Sequence, residues 1–128
     1  MKHTLFLLGL SAAGAAGVLT RYWVTQLAVQ SSWTQLPFGT LSVNVIGSFL
    51  IGYLSIMLIN KWSVDQSLQL IVLSGFLGGF TTFSAFSLET LQLLQATQYA
   101  RAAVYVTSSV ALTLLGCGAG LMLAKRMV

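Results

Sequence analysis

Four long apolar runs alternate with short polar connectors along the chain, at 5–24, 41–59, 68–94 and 102–124. Each is close to the roughly 20 residues that an α-helix needs to cross a bilayer. None shows the apolar–polar alternation of a membrane β-barrel strand. Backbone polar groups in lipid must be satisfied within a helix or a closed barrel, so the pattern predicts an all-α integral membrane protein with four transmembrane helices. Little is left over for a soluble region, and residues 1–128 read as a single four-span membrane domain.

The polar positions inside these runs are not scattered. In the second run Asn44, Ser48, Gly52 and Ser55 are spaced by four, four and three, which places them on one helix face. A buried amide in lipid has to find partners, either as glue between helices or along a pathway. In the fourth run Tyr105, Ser109 and Thr113 are spaced by four and form one vertical track of hydroxyls. Such hydroxyls can donate to an anion, accept from a cation, or bond back to their own helix. Small residues at close-approach spacing recur: Gly9, Ala13 and Gly17, Ser48 and Gly52, Gly116 and Gly120. They predict tight helix pairs without saying which helices meet.

The third run is too long and too interrupted for one simple helix. Gly75, Gly78 and Gly79 cluster in its middle and are followed by Thr81 and Thr82. Glycine costs up to about 1 kcal/mol against alanine inside a helix, so a break is expected here, with close packing of an intact glycine face as the alternative. Non-helical backbone at membrane depth survives only where protein buries it or a cavity borders it. Carbonyls freed by unwinding can coordinate cations such as sodium. Phe83 and Phe86, three apart, share a face just beyond. They are either ordinary packing or ring edges, whose positive rim suits a small anion.

Composition supports the membrane assignment: 56% of residues are hydrophobic, 6% are charged, and the mean hydropathy is +0.86. A soluble domain carries about 25% charged residues. The net charge of +4 is spread thinly, with no basic cluster of the kind that binds nucleic acid. With four spans, Lys2, Lys61, Lys125 and Arg126 fall on the side of the termini and Arg21 and Arg101 on the other. This small bias fits termini in the cytoplasm, or insertion in both orientations. Trp23, Trp33 and Trp62 lie near span ends, as an interfacial aromatic belt requires. The short apolar stretch after Lys2 and His3 resembles a signal peptide, but the pattern continues to Val24, so cleavage is not expected.

Candidate chemistry is sparse. Asp65 and Glu89 are the two carboxylates, His3 is the one histidine, and Cys117 is the one cysteine. No acid–base pair, nucleophile–base pair or side-chain metal cluster can be assembled from them, so an enzyme is not expected. Arg21 closes the first span, either snorkelling to the interface or anchoring a network.

The stretches GGFTTFSAFSLE at 78–89, FGTLSVNVIGSFLIG at 38–52 and GAAGVLTRY at 14–22 resemble the Fluc, or CrcB, family of fluoride channels over essentially the whole chain. Val18 and Ala85 depart from the usual pattern. The resemblance implies an antiparallel, dual-topology homodimer in a prokaryotic cell membrane that exports fluoride passively and protects against its toxicity. By motif position it implies a fluoride route along Asn44, Phe83, Phe86, Tyr105, Ser109 and Thr113. It also implies a structural sodium ion at the dimer centre, on the backbone carbonyls of Gly78 and Thr81. Arg21 matches a structural arginine and Glu89 a vestibule residue. A four-span exporter of cationic drugs is the runner-up, but it would need a carboxylate in the first span, where this chain has none. A membrane assembly protein without transport is the third reading.

Overall fold

The computed structural model describes residues 2–31 and 36–128, and for residues 2 and 29–31 the backbone alone. Trp33 therefore lies outside the described residues. The described chain is helical throughout, with short turns. Helix α1 is Lys2–Ser31 and α2 is Phe38–Ile56, continued by a π-helical turn at Met57–Lys61. Helix α3 starts at Gln66–Leu70, widens into a π-helical stretch at Ile71–Leu77 and ends with Gly78–Phe80. Helix α4 is Phe83–Gln95 and α5 is Tyr99–Met127. The four predicted apolar runs fall in four stretches long and apolar enough to cross a membrane: His3–Ala28, Phe38–Lys61, Gln66–Gln95 and Tyr99–Met127.

Local chemistry explains the ends. Pro37 precedes α2, where its missing N–H and fixed φ are harmless. Asp65 caps α3 by accepting from the Ser67 and Leu68 amides at 3.1 and 3.3 Å. Helix α4 closes with the Gln98 amide on the Leu93 carbonyl and the Thr97 amide on the Leu94 carbonyl. That pair of bonds is a Schellman motif, and Thr97 takes the left-handed conformation at φ 58° that it requires.

Among the described residues, the closest glycine contacts with backbone join two helix pairs. In the first, α1 lies against α3: a methyl group on Gly17 would collide with the Phe76 carbonyl, and one on Gly79 with the Gly14 carbonyl. In the second, α2 lies beside α5: a methyl on Gly52 would strike the Cys117 carbonyl, and one on Gly120 the Phe49 carbonyl. The small-residue spacings in the sequence thus resolve into these partners. Val43, Met57, Leu77 and Tyr105 are the largest fully buried side chains. Several hydroxyls bond to their own helix, as Thr20 does to the Ala16 carbonyl at 2.8 Å and Ser87 to the Phe83 carbonyl at 2.9 Å, which spares the lipid an unpaired group.

The third span is interrupted later than the glycine cluster suggests. Gly78 keeps helical angles, whereas Thr81 (φ −87°, ψ 161°) and Thr82 (φ −154°, ψ 123°) are extended. Gly75 and Gly79 are used for close approach to α1, where Ala13 Cβ and the Gly14 backbone leave no room for a side chain. Both readings of the cluster therefore apply, in adjacent places: glycines for packing, then two β-branched residues for the break.

Candidate functional site

The break is held from both sides. The Asn44 side chain, on α2, donates from Nδ2 to the Thr82 carbonyl and accepts the Thr82 amide on Oδ1, both at 2.8 Å. Arg21, on α1, donates from Nη1 to the Thr81 carbonyl at 3.2 Å. Thr82 then starts α4 as its cap, accepting the Ala85 amide on Oγ1 at 3.2 Å. In a continuous helix the Thr82 amide would bond to the Gly78 carbonyl four residues back. Because Asn44 takes that amide, the Gly78 carbonyl is released from its helical donor. The C-terminal end of α3 and the N-terminal end of α4 meet at this point, with the opposite partial charges of helix ends.

A cavity of about 340 Å³ opens beside the break. Asn44 and Ser48 line it from α2, Gly78 and Thr81 from the end of α3, Phe83 and Phe86 from α4, and Ser109 and Thr113 from α5. The two phenylalanine rings lie 5.4 Å apart, tilted by 48°, and Phe86 meets the Tyr105 ring at 5.3 Å. Phe83 is 78% exposed in the single chain, so the cavity wall is incomplete on that side. No lysine or arginine lines this cavity.

The three hydroxyls of the α5 track have three different fates. Tyr105 donates to Glu89 Oε2 at 2.6 Å. Thr113 bonds back to its own helix, to the Ser109 carbonyl at 2.7 Å. Ser109 Oγ is buried with no hydrogen-bond partner, and its side chain borders the cavity. Buried polar groups are almost always paired, and an unpaired one points to a missing partner.

A second cavity, of about 630 Å³, lies beyond Thr82, which borders both. Arg21, Thr25, Thr40, Ser84 and Glu89 contribute its polar lining. Glu89 accepts from Thr40 Oγ1 at 2.7 Å in addition to Tyr105. The structure thus brings Arg21, Asn44, Phe83, Phe86, Ser109, Thr113 and Glu89 around two cavities that meet at the break. Thr40 and Thr82 take roles that the sequence did not assign to them. Thr40 lies four residues before Asn44 and extends the α2 polar face by one turn. Thr82 has the residue type and position of a helix cap, a signal that the glycines upstream obscured.

Comparison with known proteins matches this sequence to a family. The sequence model described as "CrcB-like protein, Camphor Resistance (CrcB)" matches residues 8–121. A protein of Rhizobium meliloti (strain 1021) named fluoride-specific ion channel FluC is 41% identical over 128 residues, covering all of both chains. One of the same name from Geobacter sulfurreducens is 41% identical over 121 residues, 94% of this chain and 98% of the relative. A third, from Methylococcus capsulatus, is 43% identical over 123 residues, 96% of this chain; there the chain spans about half of the relative, 54% of its length. With most of its length matched by the family model, and with full-length bacterial relatives at this identity, the chain is a multi-pass membrane protein of the CrcB family.

Proposed function

We propose that this chain is a fluoride-selective passive channel rather than an enzyme, and that it lowers intracellular fluoride and so protects the cell from fluoride that enters as hydrogen fluoride. The observation that carries this reading is the buried, unpartnered Ser109 hydroxyl on a cavity walled by Phe83 and Phe86. Fluoride is small and strongly hydrated, so a narrow route must replace its water with donors. Ser109 Oγ supplies one. Asn44 has a second Nδ2–H beyond the one spent on Thr82, and it borders the same cavity. The phenylalanine rings supply positive edges without a full charge. A lysine or arginine on the route would bind the ion too tightly to release it, and conduction needs binding weak enough for exit.

The second cavity serves as the vestibule. Arg21 commits Nη1 to the Thr81 carbonyl but keeps its full positive charge, which draws anions toward the break. Glu89 stays at the edge, tied down by Thr40 and Tyr105, so Tyr105 acts by steadying both Glu89 and the ring of Phe86.

The functional unit in this reading is an antiparallel homodimer, with the break near the membrane midplane. The incomplete wall at Phe83 and the weak charge bias across the spans favour it. Gly78 also faces open space in the single chain, with nothing within 4 Å of where a Cβ would stand. A sodium ion shared between subunits fits this place. The released Gly78 carbonyl, and the lone pair of the Thr81 carbonyl that Arg21 leaves free, would hold it. When bound, it supplies fixed positive charge where lipid penalises an anion.

The test is efflux from liposomes carrying the purified protein. A fluoride gradient should discharge and a chloride gradient should persist. Discharge of neither would leave the assembly-protein reading, and discharge of a lipophilic cation would favour the exporter.

A further inference from the structure

The contact between α2 and α5 lies directly beside the cavity. The two helices run parallel, since Val45 meets Gly116, Phe49 meets Gly120 and Tyr53 meets Met127. Val45 follows Asn44 in the chain, and Gly116 lies one turn beyond Thr113. The α2 wall and the α5 wall of the cavity are therefore continuous with the place where the two backbones touch. At that place the nearest neighbours are main chain rather than side chain. A methyl group on Gly120 would strike the Phe49 carbonyl and come within 2.8 Å of the Tyr53 amide nitrogen. One on Gly116 would stand 3.3 Å from the Val45 carbonyl. A flexible side chain could turn aside, but a helix backbone can only move as a unit.

We propose that Gly116 and Gly120 are positioning residues that set the separation of α2 and α5, and with it the size of anion the cavity admits. The unpartnered Ser109 hydroxyl is the independent sign that a small ligand belongs between these walls. Its reach is fixed by where α5 stands, so parting the helices moves the donor away from Asn44 and the rings. A wider gap disfavours fluoride, which needs close donors to offset its lost hydration, and removes the steric bar to chloride. The inference rests on the channel reading above.

The experiment compares fluoride and chloride efflux from liposomes carrying wild type, Gly116→Ala, Gly120→Ala and Gly118→Ala. Gly118 has nothing within 4 Å of its Cβ position and serves as the control on the same helix. Chloride efflux should rise about tenfold or more in Gly116→Ala and Gly120→Ala, the scale on which pocket size discriminates ligands. Gly118→Ala should behave as wild type. Should Gly120→Ala fail to fold, Gly116→Ala, which needs a shift of a few tenths of an ångström, decides the matter. Chloride exclusion retained in the folded variants, or equal loss of flux for both ions, overturns the inference while leaving a selective wild type intact. A wild type that passes neither ion overturns the channel reading and this inference with it.

Discussion

The two sides of the break in the third span make opposite uses of neighbouring residues. Upstream, Gly75 and Gly79 vanish into contact with α1, and their lack of a side chain is what matters. Downstream, Phe83 stands 78% exposed in the single chain and borders a cavity. Between them lie two extended residues whose peptide groups are taken by Arg21 and Asn44. A continuous helix could not present both faces in these directions. The difference teaches that the break is a change of partner: one half of the span belongs to the scaffold and the other to the site.

The comparison is broken most severely at the scaffold side. Gly79→Val would drive a branched side chain into the Gly14 backbone, and overpacking of this kind costs about 1–3 kcal/mol or more. Thermal unfolding in detergent should show a large loss, with flux falling in proportion to the folded fraction. Phe83→Ile sharpens the comparison from the other side. Its melting curve should fall far less than that of Gly79→Val, because it trims a side chain at a cavity wall and drives nothing into a helix backbone, while fluoride efflux drops about tenfold or more, as when a positioned group that meets the moving ion is lost. Equal melting loss in the two variants would erase the distinction between scaffold and site.

The smallest effects separate members of the α5 track. Ser109→Ala removes a hydroxyl that has no partner, and an unsatisfied buried group costs about 1–3 kcal/mol. The variant should therefore be as stable as wild type or more so, with lower fluoride efflux. Thr113→Val removes a hydroxyl that bonds to its own helix, and it should leave both stability and efflux nearly unchanged. Reversed effects of these two substitutions would mean that Thr113, and not Ser109, is the donor.

Much of the architecture was legible in the residues. Apolar run lengths located the four spans. The break was legible as an event but not as a position, because glycine lowers helix stability and also permits close packing, and sequence does not reveal which use a neighbour makes of it. The hydroxyl track was legible as a face. Which hydroxyl stays free was not, since a bond back to the helix and a bond across a cavity differ little in energy for a serine or a threonine.

What the sequence determined by itself was periodicity and class: four apolar helices, polar rows every fourth residue, and a weak point in the third span. These follow from local geometry and from the demands of lipid on the backbone. Only the tertiary structure decided the partners. Arg21 and Asn44 reach the break across 60 and 38 residues of chain, and Thr40 reaches Glu89 across 49. Such bonds depend on how the helices pack against one another, and in this molecule that depends on backbones meeting at a few glycines. The same packing left Ser109 without a partner and so gave the cavity its unused donor.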